Sequence, residues 1–206
     1  VMVIANSRRW LHSSEHSPEP LTLSQWRTKL QRHGQAMQLT DFIAHLQTSR
    51  LPHSVFVDCT ANEEITHYYH DLLQVGVSIV TPNKKANSGS WQRYQLLQQT
   101  KQDRQVDFLY DTNVGAGLPI IRTLQELVAS GDKVQRIEAV LSGTLSYIFN
   151  SYTGKQPFSQ VVQQAHKLGY TEPDPRDDLA GIDVARKLLI LAREIGLTLE
   201  LSDIKV

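Results

Sequence analysis

Val77–Lys101 reads VSIVTPNKKANSGSWQRYQLLQQTK. Val77–Val80 has the β-branched, apolar character of a buried strand. Thr81-Pro82-Asn83-Lys84-Lys85 interrupts the run, because proline constrains the residue before it and lacks a donor. A helix follows from about Ser88 to Lys101. Strand, polar turn and helix in immediate succession make half of a parallel crossover unit.

The same order recurs on both sides. Upstream, Val1–Ala5 reads as a short buried strand, and helical patterns follow near Leu23–Gln31 and Thr40–Thr48. Ser54–Asp58 is a second strand, with a turn at Cys59–Asn62 and a helix from Glu63 to Gln74. Downstream, Phe108–Tyr110 is a strand, then Asp111–Gly117, then a helix opening near Pro119. This alternation predicts an α/β fold with a parallel sheet, in which ligands collect at the carboxyl ends of the strands. Those ends are Asn6–Arg9, Cys59–Asn62, Thr81–Lys84 and Asp111–Gly117. After about Gly131 the pattern changes. Lys133–Ser142 alternates like a strand with one wet face. Apolar or amphipathic helices are expected at Leu145–Tyr152 and Phe158–Leu168. The expected division is a nucleotide-binding domain over residues 1–117 and an α+β unit over 118–206.

The last long stretch, Gly169–Gly196, reads GYTEPDPRDDLAGIDVARKLLILAREIG. Its loop crowds Glu172, Asp174, Asp177 and Asp178 at the start of a helix expected from Asp178 to Glu194, with Gly196 as its C-cap. That helix is apolar on nearly every side, which predicts burial. Asp183 and Lys187 stand inside it at i and i+4 and share a face. A plain helical ion pair accounts for that spacing. So does an ammonium held in a cleft by a carboxylate, and the surplus of acids suggests a site for something positive or a site that holds a lysine.

The chain has 206 residues, with 21 basic and 21 acidic side chains. It shows no basic footprint for nucleic acid and no apolar run long enough for a membrane span. The one cysteine, Cys59, excludes an intrachain disulfide and suits a reducing compartment, so a cytoplasmic location is expected. The histidines form no metal-binding spacing. VMVIAN opens in mid-pattern without an initiator Met, and LSDIKV ends likewise, so both ends are expected to be cuts. A dinucleotide fold opens with strand, glycine loop and helix, and here the first glycine is Gly34, so that unit is expected upstream of Val1. Val1–Ala5 would then be the second strand. Its end, Ser7-Arg8-Arg9, has no acid for a ribose and leans toward NADP, although a solvated basic turn reads equally well. Val114-Gly115-Ala116-Gly117 is a tight strand-to-helix turn or a weak phosphate loop. Its carbonyls, with Asp111, are also of the type that holds a hard cation.

Four motifs carry a family resemblance: TPNKKANSG at Thr81–Gly89, LYDTNVGAGLPII at Leu109–Ile121, LSGTLSYIF at Leu141–Phe149, and GYTEPDPRDDLAGIDVARKLLILARE at Gly169–Glu194. They resemble homoserine dehydrogenase, in particular the dehydrogenase module of bifunctional bacterial aspartokinase–homoserine dehydrogenases. The resemblance implies a Rossmann-type dinucleotide-binding domain, truncated at its start, followed by an α+β catalytic and dimerisation domain. It implies reduction of L-aspartate 4-semialdehyde to L-homoserine with NADPH or NADH, on the way to threonine and methionine. Lys187 is similar to the catalytic lysine and Lys84 to a second lysine at the cofactor–substrate junction. Glu172, Asp183 and Asp178 match substrate-binding acids. Asn6, Arg8, Thr60, Lys84 and Gly169 fall at nicotinamide-cofactor positions. Asp111, Val114, Ala116 and Leu118 match a sodium loop, with Asp111 where other members have Glu. A homodimer, paired through Lys133–Ser142, and a linked upstream aspartokinase domain are the implied partners. A regulatory module of the same fold, or a related semialdehyde dehydrogenase, are the rival readings.

Overall fold

The computed structural model describes residues 1–13, 20–49, 51–171 and 174–205, apart from the side chain of Asp177. Its chain forms two compact units, Val1–Ser54 and Val55–Val206.

The first unit is built on β1 (Val3–Ala5), β2 (Arg9–His12) and β3 (Gln35–Ala36), with α1 (Trp26–His33) and α2 (Leu39–Thr48). The sheet order is β1-β2-β3, both pairings antiparallel. The expectation of a parallel first strand is therefore corrected, since Val3 to Ala5 face His12 to Trp10 in a hairpin. Asn6 makes the turn: its Oδ1 accepts the Arg8 and Arg9 amides at 2.8 and 2.9 Å. Asn6–Arg9 are all exposed, so the basic turn is solvated, and it closes a hairpin. Arg9 folds onto the Gly34 carbonyl at 2.8 Å, and Trp10 is buried on β2 against Phe42. Trp10, Leu30, Phe42 and Ile43 form this unit's core.

The second unit carries the parallel sheet, in the order β4 (Val55–Val57), β5 (Ser78–Val80), β6 (Phe108–Leu109). Phe56 pairs with Ile79, and Ile79 with Phe108. These three residues line one buried face, while Val55, Val57, Val80 and Leu109 alternate onto an exposed face. A 3₁₀ turn, Glu64–Tyr68, leads into α3 (Tyr69–Gln74), which packs on α4 (Trp91–Arg104). Tyr69, Leu72, Leu73 and Leu97 fill that side of the core. A second 3₁₀ turn, Asp111–Asn113, precedes α5 (Ile120–Ala129).

The strand expected at Lys133–Ser142 belongs to neither sheet. A strand exists only where a neighbour accepts its ladder, and among the described residues none lies alongside this segment. The chain then forms α6 (Gly143–Ser151) and α7 (Phe158–Lys167), which meet at Ile148, Val161 and Ala165. The continuous helix expected from Asp178 to Glu194 is two helices, α8 (Pro175–Leu179) and α9 (Ile182–Glu194). Gly181, at φ +67°, divides them. A left-handed residue cannot continue a right-handed helix, and glycine takes that conformation without Cβ strain. The C-terminal half of α9 is buried through Leu189–Arg193, whereas Ile182 and Leu188 near its start stay partly exposed. Its end is a Schellman cap: the Gly196 amide donates to Arg193 and the Leu197 amide to Ala192.

Candidate active site

The site grows from the turn after β5. The Ser88 amide and hydroxyl both donate to the Lys84 carbonyl, at 2.9 and 2.8 Å, so Thr81–Ser88 closes into a compact turn. Arg186 of α9 donates to the Ser88 hydroxyl at 2.8 Å. Arg193, two turns on, donates to the Asn87 carbonyl at 2.8 Å and lies over the rings of Trp91 and Tyr94. These two guanidinium groups hold α9 against the turn that carries Lys84.

That docking brings two ammonium groups onto one carboxylate. Asp183 Oδ2 lies 2.6 Å from Lys187 Nζ, and Asp183 Oδ1 lies 3.2 Å from Lys84 Nζ. Lys187 Nζ also donates to the Leu141 carbonyl at 2.7 Å. The ammonium side chains are the more enclosed, at 19% exposure for Lys187 and 28% for Lys84 against 52% for Asp183. Partial burial pushes the Asp183 carboxyl up, but the hydrogen bond from Lys187 and the charges of both lysines outweigh it. The carboxyl is held below its ordinary value of 3.8. Lys84 and Lys187 line a cleft of about 350 Å³ with Asn113, Gly115, Ala116 and Leu141. Asn113 is fixed there by donating to the Thr81 carbonyl at 3.0 Å and accepting from Asn87 at 3.1 Å.

Most of the remaining expected residues have local structural partners. Asp178 lies on α8, and its carbonyl accepts the Gly181 amide. Glu172 lies outside the described residues. Asp174 caps α8 through the Arg176 amide and pairs with the Arg176 side chain, which holds its carboxyl at about 2. One of the surplus acids thus has a structural use. Thr60 follows β4, with its amide on Asp58 at 2.7 Å. Gly169 sits at φ +75° just past α7. Asn6 and Arg8 form the hairpin turn of the first unit. Asp111 Oδ1 accepts the Arg122 amide at 3.2 Å and so caps the start of α5. Val114 is buried, Ala116 has φ +52°, and Leu118 is exposed with its carbonyl on the Ile120 amide at 2.8 Å. Asp58, Asn83, Asn113, Arg186 and Arg193 were passed over in the sequence. Asn83 and Asn113 read as parts of polar turns, and only burial sets these two, Asp58 and Arg193 apart.

The family model described as homoserine dehydrogenase, NAD binding domain, matches residues 1–111, and the one described as homoserine dehydrogenase matches residues 119–206. The chain belongs to the homoserine dehydrogenase family. It is 51% identical over 207 residues to a chloroplastic bifunctional aspartokinase/homoserine dehydrogenase 1 of Zea mays, which covers all of this chain and 22% of that protein. A bifunctional enzyme of Haemophilus influenzae is 48% identical over all of this chain and 25% of its own length. The homoserine dehydrogenase of Schizosaccharomyces pombe is 42% identical over 96% of this chain and 54% of its own length. Among solved structures, a Candida auris protein of unknown function matches with TM-score 0.85 and 39% identity, over 97% of this chain and 56% of that one. A hyperthermophilic archaeal homoserine dehydrogenase in complex with NADPH matches with TM-score 0.76 at 22% identity, over 94% and 59%, a likeness of fold. The chain thus spans about a fifth to a quarter of the bifunctional relatives and about half of the S. pombe enzyme.

Proposed function

We propose that this homoserine dehydrogenase chain reduces L-aspartate 4-semialdehyde to L-homoserine with NADPH, Lys187 being the proton donor. The observation that carries the proposal is the Lys84–Asp183–Lys187 constellation at the cleft. When bound, the nicotinamide supplies a hydride to the aldehyde carbon. Negative charge then builds on the carbonyl oxygen, and a positioned ammonium both stabilises it and delivers the proton. An ammonium has three N–H bonds. Asp183 and Leu141 take two of those on Lys187, which leaves one for a carbonyl oxygen. Asp183 orients the donor and also offers a carboxylate to the α-ammonium of the substrate, a task it shares with Glu172 and Asp178. Lys84 stands where cofactor and substrate meet.

NADPH is favoured over NADH by Arg8, exposed at the hairpin turn with no acid beside it. Asn6, Thr60 and Gly169 complete the cofactor contacts. The loop Asp111–Leu118 is suited to a sodium ion through Asp111 and the carbonyls of Val114, Ala116 and Leu118. Asp111 and Leu118 each already accept a hydrogen bond there and keep a second lone pair for a cation. The boundary between cofactor and catalytic domains is placed at residues 117 and 118, supported by the junction of the two family models. The named bifunctional relatives support a linked aspartokinase, and the segment 133–142, which joins neither sheet, supports a homodimer. No helix among the described residues is long and apolar enough to cross a membrane. The free Cys59 suits the reducing cytoplasm, while the plant relatives are named chloroplastic.

The deciding experiment is the initial rate of NADPH or NADH oxidation with aspartate semialdehyde, in sodium or choline chloride. It is made on this chain and on one extended upstream by a strand–glycine loop–helix unit. Faster turnover with NADPH than NADH, in the extended form above all, is the expected result. No oxidation by either folded form rejects the dehydrogenase reading in favour of a regulatory module.

A further inference from the structure

We propose that Asp58 is a positioning residue that sets the Thr60 amide and the turn bearing Lys84 from one buried carboxylate. The inference rests on the proposed reaction, because it assigns the support of that site. Asp58 ends β4 and is 2% exposed. Its Oδ1 accepts the Thr60 amide at 2.7 Å. Its Oδ2 accepts the Tyr69 hydroxyl and the Asn83 amide group, the latter at 3.1 Å. Its main-chain carbonyl accepts the Thr81 hydroxyl at 2.9 Å.

Two strand ends therefore hang on one residue. Asn83 spends its other amide hydrogen on the Asn62 carbonyl at 2.8 Å, so it spans the turns after β4 and β5. Its own amide donates to the Thr81 hydroxyl at 2.9 Å, and its Oδ1 accepts the Lys85 amide at 3.1 Å. The backbone is thus held on both sides of Lys84. The three groups that meet the Asp58 side chain are all donors, and only a carboxylate offers acceptors to all of them at once. A carboxylate taken out of water is costly, and an apolar side chain would close this strand end with less penalty. Retaining one here makes sense for geometry: two of the donors it gathers, from Thr60 and Asn83, come from the two turns that flank the cofactor and substrate positions, and the third, Tyr69, ties them to the start of α3.

The test uses the active, extended enzyme and three variants. Asp58→Asn keeps the shape but leaves one carbonyl oxygen for three donors, so an N–H opposes either the Thr60 amide or the Asn83 amide group and the residue is displaced from both turns. NADPH Kd is expected to rise and kcat to fall by about tenfold each, the scale of a lost hydrogen bond to a charged group. Phe108→Leu destabilises the same sheet through an apolar contact, and is expected to keep both constants within about twofold at a comparable loss of Tm. Asn83→Ala leaves Asp58 with Thr60 and Tyr69, so kcat falls while NADPH Kd changes little. If Asp58→Asn behaves like Phe108→Leu, the positioning role is overturned. Should Asp58→Asn not fold, an unchanged kcat in Asn83→Ala overturns it instead. A wild-type enzyme inactive on the aldehyde rejects the proposed reaction, and the NADPH Kd of Asp58→Asn still tests the clamp on Thr60.

Discussion

A lysine can give up a proton in a useful direction only if its remaining hydrogens are held elsewhere. Asp183 and Leu141 hold them for Lys187. Lys187→Ala should lower kcat by about a hundredfold or more, the contribution of a positioned general acid. Lys187→Arg should not restore it, because a guanidinium does not release its proton. Steady-state kinetics beside an unchanged far-UV spectrum checks both, and near-normal turnover in Lys187→Ala would remove the assigned role. A second residue-scale constraint lies in the loop lining the cleft. Gly115 has φ +84°, and a Cβ there would stand 2.7 Å from Ile120 Cγ1. Gly115→Ala should cost about 1–2 kcal/mol for the left-handed backbone alone, with more for moving Ile120. Urea unfolding measures it, and a neutral result would show that the turn can relax. Asp183 and Lys187 were legible as a pair because i,i+4 spacing is local. Lys84 was reached only through the family resemblance, and its contact with Asp183 was not legible, since it depends on α9 docking against a turn far earlier in the chain.

At the scale of elements, the parallel β4–β6 unit and the amphipathic helices followed from period and punctuation. Three features did not. The hairpin at Asn6 was hidden by a basic turn that reads as the end of a parallel strand, the break at Gly181 by apolar residues on both sides, and the status of residues 133–142 by the nonlocal nature of strand pairing. The end of α9 holds a further nonlocal device. Glu194 accepts the Tyr110 hydroxyl at 2.7 Å and the Gln125 amide at 2.7 Å, joining α9 to the end of β6 and to α5. Burial pushes the Glu194 carboxyl above its ordinary 4.5, and the hydrogen bonds from Tyr110 and Gln125 only partly oppose this. A carboxyl whose folded pKa exceeds its unfolded one binds its proton more tightly in the fold. Its stabilising contribution is full below about pH 4.5 and is lost as pH rises through the raised value. Glu194→Gln, which keeps an acceptor for Tyr110 without the charge, should flatten that part of the stability profile. Thermal unfolding from pH 4.5 to 8 checks this, and a variant with the wild-type slope would place the titration elsewhere.

For the molecule as a whole, the segment between α5 and α6 poses the remaining question of how its backbone is satisfied. Residues 133–142 lie outside both sheets, and Val140 is 81% exposed. A segment with no strand beside it leaves backbone groups outside a ladder and can pair with another chain. Here it adjoins the proposed proton donor directly, because the Leu141 carbonyl holds Lys187. Pairing two copies along this segment would bury Val140, complete a ladder and stiffen the carbonyl that orients the proposed proton donor. A homodimer is therefore expected, and its formation should support turnover. Light scattering should give twice the chain mass. Val140→Lys places a charge at the proposed seam, and should shift the mass toward the monomer and lower kcat together. A monomeric mass for the wild-type protein would refute the pairing. A dimer that survives Val140→Lys with full turnover would put the interface on another surface.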